Sequence, residues 1–217
     1  LQIPISVSGI LSFPKGEGNT VCLNELNANL AHIPLKGDVR ISIFENSAQI
    51  KAQMNIDRCP VGKIVDSYVS HIMTEANEIS TDALLNVSVN IDGEYDFATG
   101  KLPQMKASLS IPSSTTTYRS FPDTPLTMEV NIGAEIDAEG RANLDINRLG
   151  IGIPGSWISA TCQAKDLMAD DPALNIDAEL DAELSRLKDL IPAEYGIQAE
   201  GSLHGTIKGK ARLSQLS

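Results

Sequence analysis

The chain reads as a mainly β protein: an elongated, curved antiparallel sheet, a β-groove or half-barrel of meandering hairpins, carrying one long amphipathic helix and one short one. Three observations predict this. Between Thr127 and Asp137 apolar and polar residues alternate without a slip, with Met128, Val130, Ile132, Ala134 and Ile136 on one side, which is the mark of a strand with one dry and one wet face. After Ala138-Glu139-Gly140, a short link with a glycine able to take positive φ, the alternation resumes with Ala142, Leu144 and Ile146, so the two runs form a hairpin. The same logic repeats along nearly the whole chain, and only one long stretch, Pro60 to Ile79, has helical spacing instead.

In order, Leu1 to Phe13 alternates loosely before a turn cluster at Pro14 to Asn19. Leu26, Ala28 and Leu30 share a face, Ile33 and Leu35 follow across a phase shift near His32, and Val39, Ile41 and Ile43 precede Ile50, Ala52, Met54 and Ile56. From Pro60, the apolar residues Val61, Ile64, Val65, Tyr68, Val69, Ile72 and Met73 recur at helical spacing, so residues 60–79 are expected to form a helix packed on the dry face. Strands resume with Leu85, Val87, Val89 and Ile91, then Met105, Ala107, Leu109 and Ile111, and Ser113 to Pro125, rich in Ser, Thr and Pro, is expected to be a surface loop. Gly150 to Gly155 is expected to turn into Ile158, Ala160, Cys162 and Ala164. The last third reads as a strand (Leu174, Ile176, Ala178, Leu180), a short helix (Leu184, Leu187, Leu190, Ile191) stopped at Pro192, and two further strands (Ile197, Ala199, Gly201, Leu203; then Ile207, Gly209, Ala211, Leu213).

Composition excludes several function classes. The 217 residues suit one continuous unit, residues 1–217. With 17 basic and 28 acidic residues the net charge is −11, which repels phosphate backbones, so nucleic acid is not an expected partner. Aromatic residues make up 4% of the chain, too few for stacking platforms, and the dry faces are aliphatic. Cys22, Cys59 and Cys162 have no CxxC spacing or nearby His ligands, so no zinc site is expected. Cys22 and Cys162 fit core positions, and a Cys22 to Cys59 disulfide stays open.

No stretch announces a reaction. Gly150-Ile151-Gly152-Ile153-Pro154-Gly155 matches the dinucleotide fingerprint by letter, but a strand-like run follows where that motif needs a helix N-terminus. His32, His71 and His204 lie far apart, and Asp166, Asp170 and Asp171 lack the glycine and further oxygen ligands of a calcium loop. No catalytic, cofactor-binding or metal residue is therefore assigned. The candidate residues are those of the apolar stripes, as lipid-facing surface or as core: Leu85, Val87, Val89, Ile91, Met105, Leu109, Met128, Val130, Ile132, Ile136, Leu144, Ile146, Ile158, Leu174, Ile176, Leu180, Ile197 and Leu203.

Two stretches carry a family resemblance. One runs from Ser159-Ala160-Thr161-Cys162-Gln163-Ala164-Lys165-Asp166-Leu167 through Asp171-Pro172 to Leu174-Asn175-Ile176-Asp177-Ala178. The other is Leu187-Lys188-Asp189-Leu190-Ile191-Pro192, then Gly196-Ile197, then Gly201-Ser202-Leu203-His204-Gly205-Thr206-Ile207-Lys208-Gly209. Together they resemble the AsmA family of Gram-negative envelope proteins, relatives of the TamB-like lipid transporters, over the C-terminal part of the chain. The resemblance implies a periplasmic location, a parent anchored in the inner membrane, and a long sheet whose aliphatic groove handles phospholipid or another acyl-chain lipid. It implies no catalytic residues. No transmembrane span or signal peptide is read in these residues, and the parent chain is expected to continue at both ends, with terminal strands whose open edges favour self-association.

Overall fold

A computed structural model describes residues 5–14, 19–30, 33–66, 79–119, 121–187, 200–212 and 214. The order of elements is β1 (Ile5–Ser12), β2 (Asn19–Leu30), β3 (Ile33–Ile43), β4 (Ser47–Pro60), α1 (Val61–Ile64), β5 (Ile79–Thr81), β6 (Leu84–Asp96), β7 (Gln104–Tyr118), β8 (Phe121–Ile136), β9 (Ala142–Ile153), β10 (Ser156–Lys165), β11 (Ala173–Glu183), α2 (Leu184–Leu187) and β12 (Ser202–Arg212). All the described strands belong to one 12-stranded sheet, and every pairing among them is antiparallel. The spatial order follows the chain from β1 to β12, apart from β5, which pairs with β7. β1 and β12 end the order of the described strands.

β5 and β6 lie along the same side of β7, one beyond the end of the other, with Asp82 and Ala83 between them. Local bonds replace the ladder across this break. The Asp82 N–H donates to the Thr115 carbonyl (3.2 Å), and the Thr115 N–H donates to Asp82 Oδ1 (2.6 Å). The Val61 N–H donates to the Ala83 carbonyl (2.9 Å), which ties the start of α1 to the sheet at the point where the chain re-enters it.

Four expectations change. The helix begins where expected, since α1 follows Pro60, but Ile79 belongs to β5 and cannot be its end. Residues 67–78, with most of the expected stripe, lie outside the described residues. The expected loop from Ser113 to Pro125 is instead the tip of the β7–β8 hairpin. Its β-branched threonines favour a pleated surface, and Pro125 falls in a register shift where no ladder N–H is required. Ser114 Oγ donates to the Met128 carbonyl (3.2 Å), and Thr116 Oγ1 donates to Thr81 Oγ1 (2.8 Å), so the hydroxyls stitch strands together. Gly150 and Gly152 lie within β9, and the turn is Pro154-Gly155 alone. There Gly155 has a φ of 80°, matching the Pro-Gly preference of a type II turn. The last expected strand begins earlier, because β12 runs unbroken from Ser202 through His204, Gly205 and Thr206; of the strand expected before it, Gly201 lies outside β12, and Ile197 and Ala199 lie outside the described residues. α2 is the start of the expected short helix. Leu190, Ile191, Pro192 and Ile197 lie outside the described residues.

Bulges keep the faces aligned. In β2 the apolar phase shifts from Val21 and Leu23 to Leu26 and Ala28, in β4 from Ile56 to Cys59, and in β9 from Ile146 to Leu149; the register shifts at each of these points. An extra residue in one strand flips the alternation, so the same side chains stay on the same face. Glu25 and Arg58, the extra residues of the first two, have positive φ (53° and 49°). Their N–H groups donate to Asp38 Oδ1 (2.8 Å) and Asn86 Oδ1 (2.9 Å) on neighbouring strands. Asp166, the remaining non-glycine residue with positive φ (57°) among those described, follows the same rule and donates to Asn143 Oδ1 (3.1 Å).

Candidate functional site: the apolar face

Register places the apolar residues in rows that cross the sheet. One row runs Val7, Ala28, Leu35, Ile56, Val87, Leu109, Ile132, Ile146, Cys162, Ile176 and Gly209, each paired to the next. Beside it runs Leu26, Gly37, Met54, Val89, Ala107, Ala134, Leu144, Ala164, Leu174 and Ala211. A third links Leu23, Val39, Ala52, Ile91, Met105, Ile136 and Ala142. On the other side of the first, Ile111, Val130, Leu149, Ala160, Ala178 and Ile207 are joined, then Met128, Ile151, Ile158, Leu180 and Gly205. Leu85 pairs with Cys59, and Leu203 with Ala182, so they join the same face. Every described candidate residue thus lies on one face.

That face has no buried large side chain among the described residues. The buried apolar residues are cysteines and alanines, such as Ala28, Ala52, Ala164 and Ala182, recessed between taller neighbours. Ile158 is 46% exposed, Val7 65% and Ile207 70%, while Val89, Leu109, Ile132 and Ile146 are half-buried. Leu126, Ile151, Ile153, Ile158, Leu180 and Ala182 bound an apolar depression of about 240 Å³ on it. The accessible surface is 14227 Å², against about 9,700 Å² for a compact chain of this size. No second sheet stacks on these rows among the described residues; each described strand packs against its ladder neighbours. Covering one such Leu or Ile is worth about 1.5–3 kcal/mol, so the face has a large unmet capacity for apolar contact.

Cys59 is the most secluded group on this face, at 0% exposure. Burial pushes its thiol pKa up, opposed by the nearby Lys63 ammonium, so the thiol is held protonated. Alternation alone does not place it on this face, because the bulge at Arg58 puts it out of phase with Ile56. Cys22 is also buried, but its row contains Ser12 and Arg40 and belongs to the opposite face. All three cysteines are free, so the Cys22 to Cys59 bridge does not form.

The wet face carries the charges. Lys106 pairs with Glu135 (3.4 Å), Arg148 with Glu129 (3.3 Å) and Lys208 with Asp177 (3.1 Å), each across neighbouring strands. Trp157 lies on this face with the Arg148 guanidinium 6.0 Å from its ring centre. His204 stands opposite Asp181 there, and His32 and His71 lie outside the described residues. Three carboxylates are held below their ordinary range: Asp96 by the Thr99 and Ala98 N–H groups, Asp137 first by the Arg141 N–H, and Asp171 first by the Ser214 N–H. Asp96 and Asp137 shape hairpin turns, and Asp171 braces the end of β12. Among the described residues no group of three or more His, Cys, Asp or Glu could hold a metal ion, and no helix is long and apolar enough to cross a membrane.

No family model, curated protein or solved structure matches the chain. The site is therefore defined by its own chemistry: an aliphatic surface that offers contact without directional bonding.

Proposed function

We propose that the chain is a non-enzymatic module of an AsmA-like envelope protein, in the periplasm and anchored to the inner membrane through its parent, whose sheet curves into a groove that shields acyl chains. The observation that carries the reading is the apolar row from Val7 to Gly209, unbroken across eleven strands, with its tall side chains left uncovered by the described residues. At about 4.8 Å per strand it extends for about 48 Å. Burying about 14 methylenes at ~0.8 kcal/mol each yields about 11 kcal/mol gross, before the large cost of immobilising the lipid. The modest net affinity suits passage along the face better than storage.

Native mass spectrometry after gentle purification tests this. Phospholipid adducts are expected on the unsubstituted chain, and they are lost in Ile132→Asp and Val89→Asp variants that keep the β-sheet circular dichroism signal. A protein consistently free of lipid, or folded variants that keep the adducts, removes the reading in favour of a structural β module.

A further inference from the structure

We propose that the wet face carries a binding site for a phosphate group at its β10–β12 end, formed by Lys165, Lys210 and Arg212. This goes beyond the acyl-chain reading, because the site lies on the other side of the sheet and does not depend on it. The argument begins with the wet side of β11, which reads Ala173, Asn175, Asp177, Glu179, Asp181 and Glu183. Its acidic end balances its neighbours, and Asp177 pairs with Lys208 at 3.1 Å. Its other end is neutral, and the cations gather there.

Lys165 and Arg212 both pair in register with Ala173, one from each side, while Lys210 and Gln163 flank Asn175 in the next row. The small Ala173 side chain leaves a depression of about 460 Å³ beneath these longer residues, and no carboxylate lines it although the chain holds 28 acidic residues. Arg212 is braced from outside, with Nη1 donating to the Asp171 carbonyl at 3.1 Å and lying 3.8 Å from Asp171 Oδ2. The Lys165 and Lys210 ammonium groups form no ion pair with a described residue. Three cationic side chains surround a neutral floor with the Gln163 and Asn175 amides as further donors, while the nearest carboxylates, Asp171 beside Arg212 and Glu135, Asp137, Asp145 and Asp166 on the far side of Lys165, lie outside the depression. A phosphate monoester or diester supplies both the charge and several acceptor oxygens.

Isothermal titration with inorganic phosphate at low salt tests the site. Two doubly substituted proteins have the same change in net charge: Lys165→Gln with Lys210→Gln in the depression, and Lys51→Gln with Lys101→Gln away from it. Loss of two charge-assisted contacts is expected to weaken binding by at least about tenfold in the first and by less than about twofold in the second. Unchanged thermal midpoints establish that both are folded. Competition by phosphatidylglycerol vesicles but not phosphatidylcholine vesicles assigns the phosphate to a lipid headgroup, whereas its absence assigns a soluble phosphate. No binding to the parent, or equal weakening in the two variants, overturns the proposal.

Discussion

The indole of Trp157 occupies the space that a Cβ on Gly150 would fill, and it covers the corresponding space above Gly152 as well. The glycines that mimic a nucleotide-binding fingerprint are thus a seat for a cross-strand ring. Neither has positive φ, so the demand on them is steric and not conformational.

Gly150→Ala therefore sets two effects against each other. Reduced freedom of the unfolded chain favours alanine by about 0.4–1 kcal/mol, while overlap with the ring costs about 1–3 kcal/mol, so net destabilisation is expected. In a Trp157→Ala background the overlap disappears and Gly150→Ala becomes neutral or stabilising. Urea denaturation of the four proteins measures the coupling, and equal effects in both backgrounds would count against the seat.

At the β4 bulge, Arg58→Gly relieves a left-handed backbone that costs an L-residue about 1–2 kcal/mol, which exceeds the entropic penalty of glycine, so a small gain in stability is expected. Asn86→Ala removes the acceptor of the Arg58 N–H and is expected to cost about 1 kcal/mol. Opposite signs in chemical denaturation check the pair.

Acid should weaken the β8–β9 turn. The Arg141 N–H, and after it the Arg141 guanidinium, hold the folded-state pKa of Asp137 below the value of about 3.9 expected in the unfolded chain. The unfolded chain therefore takes up the proton first as pH falls. The stabilisation is complete above the unfolded value and is lost as pH drops through the folded one. Asp137→Asn, which keeps an acceptor but cannot ionise, should show a shallower fall in thermal midpoint between about pH 5 and pH 2.5 than the parent. Identical slopes would exclude the linkage.

Cysteine alkylation followed by peptide mapping should rank the thiols by access. Cys162, half-exposed, is expected to react first, and Cys59, sealed and held protonated, last and only on unfolding. Rapid native labelling of Cys59 would contradict its burial.

Much of this architecture was readable from alternation alone, because a period of two assigns each residue to a face before any partner is known. Met128 to Ile136 and Leu85 to Ile91 needed no other information. What misled was composition: Ser, Thr and Pro between Ser113 and Pro125 suggest a loop, yet side-chain hydroxyls and a bulge make the segment serviceable as strand. Glycine misled in the same way at Gly150, Gly152 and Gly205, where it marks close approach or simple strand backbone instead of a turn. Cys59 and Leu149 escaped the candidate set because single extra residues shift the phase just before them. Those shifts were visible as breaks in parity, but only pairing reveals that they restore a face. The basic depression could not be read from sequence, since Lys165 and Arg212 meet only through the register of β11.

The ladder from β1 to β12 has eleven members, all alternating in sense, so its first and last strands point the same way. Joining the last strand of one copy to the first strand of an identically oriented copy would require a parallel junction, unlike any within the molecule. Two copies meeting through like edges about a dyad normal to the sheet would instead continue the existing hydrogen-bond pattern and leave both oily surfaces on the same side. Were the outer edges of β1 or β12 to meet those of another copy, strand parity would thus favour dyad-related pairing of like edges over a one-way polymer.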